Sequence, residues 1–335
     1  MQYPSVRGDV EVSVVVPTYR RPELLDRCLT ALLRQDFEAH RFEILVADDD
    51  PDERRSVSLQ ASLQWKRRSV VVGPDVRYVP ARRRQGPAGA RNRGWRAARA
   101  SVIAFTDDDT IPEPTWLSAG WSAMQEGWDA VAGTIRMPLP PRPTDYERDA
   151  TGLSRAEFAT ANCFVRLAAL HAVGGFDERF TEAWREDSDL QFALLEHGFK
   201  CGRAPEAIVV HPIRSARWGV SVSQQRKVRF DALLFKKHRR LYRSRIRRVP
   251  PWRYYATVGA LVVSAVGWLA GTRSVAVVGL FVWLALTWQF FLRRMAGNSG
   301  KWSHVLEMIL TSIAIPPLAV FWRLCGAARY RVLFL

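Results

Sequence analysis

The chain has 335 residues and a formal net charge of +16, enough for one domain of roughly 200–250 residues plus an appendage. With 48% hydrophobic and 24% charged residues, it is a folding chain and not a disordered one. Its four cysteines, Cys28, Cys163, Cys201 and Cys325, form no CxxC pair and no Cys/His cluster, so they suggest reduced thiols in a cytosolic setting rather than a disulfide framework or a zinc site.

Met1 to Asp9 is polar and has no apolar signal core, so the first domain is expected in the cytosol. Val12-Ser13-Val14-Val15-Val16 predicts a short buried strand closed by Pro17-Thr18-Tyr19-Arg20. Pro22–Gln35 carries leucines at helical spacing, with Pro22 suited to a first helical position. Glu43–Ala47 predicts a second strand, ending in Asp48-Asp49-Asp50, and Val76–Val79 a third. Pro87–Ala100 predicts a helix, Val102–Phe105 a fourth strand ending in Asp107-Asp108-Asp109, and Asp129–Gly133 a fifth. Alternating strands and helices imply an open, mostly parallel α/β sheet. Such sheets bind ligands beyond the carboxyl ends of their strands. Aspartate is also common in turns and helix caps, but two acidic clusters at strand ends of one sheet point to a site.

Between Arg214 and Arg253 lie fourteen Lys/Arg and one acid, Asp231, which is thirteen of the sixteen excess positive charges. Within it Ser223–Tyr242 predicts one amphipathic helix with Phe230, Leu233, Leu234, Phe235 and Leu241 toward one side. Two apolar runs follow, Tyr254–Ala270 and Val275–Leu292, joined by Gly271-Thr272-Arg273-Ser274. Each approaches the length that crosses a bilayer; the alternative is a pair of buried helices in a soluble protein. Arginines on either side orient the hairpin with both ends in the cytosol. Val305–Leu324 contains Glu307 and Pro316-Pro317 and reads as a Pro-broken re-entrant or interfacial segment, or as a third span. The expected division is an α/β domain over 1–220, a basic interfacial helix and linker over 221–253, and a membrane region over 254–335. It places a multi-pass protein in the cytoplasmic membrane, its α/β domain on the cytosolic face. The basic segment beside these runs is read as facing anionic lipid rather than nucleic acid, for which no RNA-binding motif or zinc finger speaks.

From Val12 to about Pro212 the chain resembles the family 2 glycosyltransferases, membrane-attached bacterial type, with the GT-A fold. Val12 to Pro22 looks like the family's opening strand and nucleotide-binding turn, with Arg20 where asparagine is usual. Asp48-Asp49 matches its acidic pair, Gly86 to Gly94 the helix before the metal motif, and Phe105-Thr106-Asp107-Asp108-Asp109 its DxD. Gly174-Gly175-Phe176-Asp177-Glu178 and Glu186-Asp187-Ser188-Asp189-Leu190 resemble its acceptor-side signature.

The resemblance implies a nucleotide-sugar donor, a UDP-sugar first by family frequency, held by Pro17, Thr18, Tyr19, Arg20, Asp48, Asp49, Asn92, Asp107 and Asp108. A divalent cation, Mn²⁺ or Mg²⁺, would neutralise the departing diphosphate. Asp107 and Asp109 are its expected ligands, and His211, where some relatives complete the metal shell, would tilt the preference toward Mn²⁺; the alternative for His211 is a structural histidine. Asp187 is the expected base for an acceptor hydroxyl, with Glu186 orienting it or second in line, and Trp184 a sugar-stacking or simply packed aromatic. Direct attack inverts the anomeric centre. Gln224-Gln225-Arg226 does not reproduce the signature of processive relatives, although Arg226 or Arg229 could reach the diphosphate. Single-sugar transfer to a lipid-linked or membrane-proximal glycan is therefore the leading expectation. A polyprenyl-phosphate sugar synthase and an inactive membrane scaffold are the alternatives.

Overall fold

A computed structural model describes residues 10–68, 73–81, 83 and 85–334. The chain divides into two compact units, one of 1–138 and 153–212, the other of 139–152 and 213–335.

The first unit is built on an eight-stranded sheet in the order β3-β2-β1-β4-β7-β6-β8-β5. In chain order it runs β1 (Val12–Thr18), α1 (Pro22–Leu32), β2 (Phe42–Asp48), α2 (Glu53–Arg68), β3 (Asp75–Val79), α3 (Gly86–Arg96), β4 (Val102–Thr106), β5 (Ile111–Pro112), α4 (Trp116–Gln125) and β6 (Ala130–Arg136). The chain then leaves for α5 (Asp145–Ala150) of the second unit. It returns with β7 (Asn162–Arg166), α6 (Leu167–Val173), α7 (Glu186–Glu196) and β8 (Cys201–Val210).

β3, β2, β1 and β4 are parallel, as their strand–helix alternation predicts, whereas β7 runs antiparallel to both β4 and β6. β1 and β2 are buried along their whole length, which is why they read as continuous apolar runs and not as alternating ones. β7 and β8 carry no such signal. β7 has five residues, and β8 is interrupted by Gly202 and Pro205 opposite an irregularity at Gly133/Thr134.

The two ends of the parallel strands differ in purpose. At the amino ends Glu43, fully buried, accepts from Ser13 Oγ at 2.7 Å and from Arg77 and Arg99 at 2.9 Å. That charge is fully partnered and structural. At the carboxyl ends the register puts Thr18 opposite Asp48 on β2, with β4 on the other flank of β1. The acidic clusters are thereby gathered on one edge.

The second unit contains α5, α8 (Val220–Gln224), α9 (Arg229–Lys237), the short α10 (Arg239–Leu241), α11 (Trp252–Leu269), α12 (Arg273–Met295) and α13 (Trp302–Tyr330). The single helix expected over Ser223–Tyr242 is broken by a 3₁₀ segment at Gln225–Val228, by non-helical His238, and by a π turn at Tyr242–Ile246. Phe230, Leu233, Leu234 and Phe235 are buried in this unit, where α9 packs on α13. A Cβ on Gly326 of α13 would stand 2.6 Å from the Arg229 carbonyl, so only glycine permits the contact. The expected lipid-facing apolar side is therefore turned inward.

Pro316-Pro317 does not break its segment: α13 is one helix of 29 residues, roughly 43 Å at 1.5 Å per residue. Among the described residues, the helices long and apolar enough to cross a membrane are α12 and α13, with mean hydropathy 2.1 and 1.8. α11 falls short because its first turn is Trp252-Arg253-Tyr254-Tyr255. α12 leaves Val277, Val278 and Phe281 64%, 63% and 72% exposed. A helix in a water-soluble core would cover those side chains, so the surface suits lipid.

A polar knot ties the excursion 139–152 into this unit. Arg294 at the end of α12 bonds the Asp145 carboxylate at 2.7 and 3.0 Å, and Thr311 and Ser312 of α13 at 2.6 and 3.2 Å. Arg148 donates to the Gly297 carbonyl and Pro143 accepts from the Ser299 N–H at 2.8 Å. This is why 139–152 sorts with the second unit, a boundary composition did not reveal.

Candidate active site

The first wall is the turn after β1. Asp108, nearly fully buried after β4, accepts from Thr18 Oγ1 at 2.8 Å and from Arg21 at 3.0 Å. It therefore fixes the β1–α1 turn rather than lying open to a ligand. Burial pushes its carboxyl up to about 6, against the pull of Arg21 and Thr18. Arg20 takes a left-handed backbone, φ 55°, and pairs with Asp50 at 2.7 Å while lying 5.0 Å over the Tyr19 ring. Pro17 is buried within β1.

The second wall is the end of β2. Asp48 accepts from the Tyr78 hydroxyl at 2.9 Å and the Asp50 N–H at 3.0 Å, and burial raises its carboxyl. A cavity of about 420 Å³ opens here, lined by Thr18, Arg21, Leu25, Asp48, Asp50 and Leu59 among others. Asp49 is committed elsewhere. Its oxygens accept from the Gln85 and Gly86 N–H groups at 2.9 and 2.7 Å and from Arg93 at 3.0 Å. It thus satisfies the start of α3, whose first N–H groups have no acceptor inside the helix. The acids bordering the cavity are Asp26, Asp48 and Asp50, whereas Asp49, expected at the nucleotide, is bonded to the start of α3.

Asn92 is corrected in the same way. Its amide donates to the Phe176 carbonyl and Glu178 at 2.8 and 2.9 Å, and its oxygen accepts from Phe176 N–H and Trp95 Nε1, both at 2.9 Å. Two donors and two acceptor positions exhaust a carboxamide. Asn92 therefore clamps the loop at Gly175, whose φ of 75° and 2.7 Å clearance from the Asn92 oxygen demand glycine, and it has nothing left for a nucleotide.

The centre of the site is where β4 ends. Ligand atoms of Asp107, Asp109 and His211 lie within 4.8 Å of one another. His211 follows β8 and is 8% exposed; its Nε2 stands 3.6 Å from Asp109 Oδ1. Two carboxylates and an imidazole converging in a mostly buried corner could hold a divalent cation.

Arg91 joins this corner to the acidic start of α7. It is 3% exposed and bonds Asp107 at 2.7 Å and Glu186 at 3.1 Å. Burial would weaken a guanidinium, but Asp107 and Glu186 outweigh it and hold Arg91 charged. Glu186 itself is buried, and burial with Asp187 beside it pushes its carboxyl up to about 7. Asp187 is half-buried, accepts from the Ser188 N–H at 2.7 Å, and is raised above the usual carboxylate range by burial. Of the pair, Asp187 is the less buried, while Glu186 is held by Arg91. Asp189 is buried. Arg185, left-handed at φ 74°, precedes α7 and stacks 4.7 Å over Trp184, which is 37% exposed.

Three residues escaped the sequence reading: Arg21, Asp50 and Arg91. For Arg91 a signal existed, because Ala88, Arg91, Asn92 and Trp95 form the buried stripe of α3 and an arginine on such a stripe must meet carboxylates. Arg226 and Arg229 belong to the second unit, where Arg229 stacks on Phe230 at 4.8 Å.

The chain is similar to known proteins along most of its length. Residues 13–176 match the model of glycosyl transferase family 2, and residues 147–292 that of glycosyl transferase family group 2. The chain is 27% identical over 214 residues to glycosyltransferase AglE of Haloferax volcanii, covering 61% of this chain and 67% of that protein. It is 30% identical over 124 residues to the GalNAc(5)-diNAcBac-PP-undecaprenol beta-1,3-glucosyltransferase of Campylobacter jejuni, covering 37% of each. The chain thus spans between 37% and 67% of the length of these relatives. Among solved structures it is similar to the mannosyltransferase PcManGT from Pyrobaculum calidifontis in complex with GDP-Man and Mn²⁺. The TM-score is 0.54 at 15% identity, covering 97% of this chain and 89% of that one, a likeness of fold.

Proposed function

The chain belongs to glycosyltransferase family 2, with the GT-A fold, and from that premise we propose that it is an inverting, metal-dependent enzyme that moves one sugar from a nucleotide-sugar to a hydroxyl of a lipid-linked or membrane-proximal glycan. The observation that carries this is the convergence of Asp107, Asp109 and His211, linked through buried Arg91 to Glu186 beside Asp187. A bound Mn²⁺ or Mg²⁺ on those three residues supplies charge neutralisation for the leaving diphosphate.

The protein's own residues do the rest. The nucleoside lies in the cavity by Thr18 and Asp48, with Asp108 holding the turn that covers it. Asp187, its carboxyl raised by burial, takes the acceptor proton as the hydroxyl attacks the anomeric carbon. Trp184 offers an exposed ring for an acceptor sugar. UDP-sugars are the first donors to screen, and GDP-mannose, bound by the similar mannosyltransferase, is next. A relative that acts on an undecaprenol-linked glycan and two lipid-suited helices, α12 and α13, support an acceptor at the cytosolic face of the cytoplasmic membrane.

The test is transfer from a panel of nucleotide-sugars with Mn²⁺ by the full chain and by Asp187→Asn. Loss of transfer by two or more orders of magnitude, with donor binding retained, is expected for a base. Undiminished transfer to polyprenyl phosphate by Asp187→Asn would instead identify a polyprenyl-phosphate sugar synthase, whose acceptor needs no base.

A further inference from the structure

β8 reaches the metal corner only after an irregularity. Gly133 of β6 pairs with Ala204 of β8, but the next residue, Thr134, pairs with Ile208. One step on β6 is matched by four on β8, so Pro205, Glu206 and Ala207 form a bulge. An odd excess of three residues changes the face that later side chains of the strand present. Ala204 and Val209, five apart, would lie on opposite faces of a regular strand, yet both belong to the same core cluster. Beyond the bulge Val209 and Val210 pair with β6 on one side and with Pro112 and Ile111 of β5 on the other. The His211 N–H then donates to the Arg136 carbonyl at 2.8 Å. Because β5 begins two residues after Asp109, this register is what brings His211 Nε2 to 3.6 Å from the Asp109 carboxylate.

The bulge is held from within the sheet by Asn162. This residue is fully buried at the start of β7, opposite Thr106, which immediately precedes Asp107. Its amide donates to the Thr134 carbonyl at 2.9 Å and to the Ala207 carbonyl at 2.8 Å, one on each side of the irregularity. Its oxygen accepts from Trp116 Nε1 at 2.8 Å. An indole N–H can only donate, so Trp116 fixes which end of the carboxamide faces the bulge. A Cβ on Gly133 would collide with the Asn162 carboxamide and the Ala207 carbonyl, so glycine is needed for the close approach. Thr134 Oγ1 adds a second tie, donating to the Pro205 carbonyl at 2.8 Å. We infer, on the reading of Asp107, Asp109 and His211 as a metal corner, that Asn162 is a positioning residue for that corner. By setting the register of β8 it holds His211 beside Asp109, and it acts on the ion through His211.

The experiment measures Mn²⁺ affinity of the purified full chain by calorimetry, for wild type, Asn162→Ala, His211→Ala and the double variant. Asn162→Ala should weaken Mn²⁺ binding about 10- to 100-fold, the range for a group that orients a metal ligand. In the His211→Ala background the same substitution should change affinity by less than about twofold, because the two residues act as one unit. Thr134→Val leaves the Asn162 bonds in place and loosens the bulge from its other tie. It should weaken binding in the same direction and by less, again only where His211 is present, and it serves as the probe if Asn162→Ala does not fold. Hydrogen exchange without metal gives a second readout: amides 208–211 should exchange faster in both variants, while those of β1 keep their protection. An equal loss of affinity with and without His211 would overturn the inference and leave the metal corner standing. So would a lowered Tm with Mn²⁺ affinity and the exchange of 208–211 unchanged, the result expected of an amide that only stabilises the sheet. A wild-type chain that binds no Mn²⁺ would sink the metal corner itself, and is distinct from both.

Discussion

Replacing Arg91 by Met is the most informative single change in the catalytic unit. Methionine keeps most of the length of the side chain but removes the charge that bonds Asp107 at 2.7 Å and Glu186 at 3.1 Å. Both partners of the Glu186 pair are almost fully buried, Arg91 at 3% and Glu186 at 4% exposed. Breaking such a pair from one side costs about 3–5 kcal/mol, because a buried charge is left uncompensated. For a domain of this size that is roughly 6–20 °C in Tm. Removing both charges is far less costly than removing one, so Arg91→Met/Glu186→Gln should recover about 1–3 kcal/mol relative to Arg91→Met alone. Arg91→Lys presents a single ammonium where a fork served two carboxylates and should fall between wild type and Met. Thermal denaturation without metal of wild type, Arg91→Met, Glu186→Gln, the double variant and Arg91→Lys checks the stabilities. Titration of each with Mn²⁺ shows whether Asp107 is displaced. If Arg91→Met melts within 2 °C of wild type, or the double variant is the sum of the two single ones, Arg91 does not bridge the two acidic groups.

Other consequences are open to measurement. His211→Ala should weaken Mn²⁺ binding by roughly 10- to 100-fold while leaving the fold intact, read by calorimetry; unchanged affinity would remove His211 from the metal corner. Because the Asp187 carboxyl is raised by burial, the acid limb of the rate profile should lie above the ordinary aspartate value of about 3.9. A limb at or below that value would argue against this base. Glu186, held at about 7 in the folded state, binds its proton more tightly there than in the unfolded chain. Metal-free stability should therefore be greatest below its unfolded value of about 4.3 and decline as pH rises toward 7. Glu186→Gln should flatten that decline, and an unchanged slope in chemical denaturation across this window would refute the assignment. Asn92→Ala should cost about 2–4 kcal/mol by orphaning Phe176 and Trp95 groups yet leave nucleotide affinity of the folded fraction unchanged; a selective loss of affinity would restore Asn92 to the ligand.

Much of this was legible in the order of residues alone. The buried runs Val12–Thr18, Phe42–Asp48 and Val102–Thr106 announce strands because local apolar content and β-branching decide them. The acids that follow must then share one edge of a parallel sheet, which brings Asp48, Asp107, Asp108 and Asp109 into one neighbourhood. Spacing within a family pattern singled out His211, whose ring nitrogen lies with Asp107 and Asp109, and Asp187. What spacing cannot show is how each side chain is spent. Asp48 and Asp49 are adjacent, but opposite pointing in an extended chain sends one to the cavity and the other to the start of α3. Asn92 and Arg91 are neighbours on one helix stripe, and only the loop at Gly175 and the carboxylates of Asp107 and Glu186 distinguish a clamp from a bridge. The same limit governed the basic segment, whose pattern showed an apolar side without saying whether lipid or α13 would cover it. Amphipathicity is a property of the chain, whereas the partner of an apolar face is chosen by everything else that folds against it.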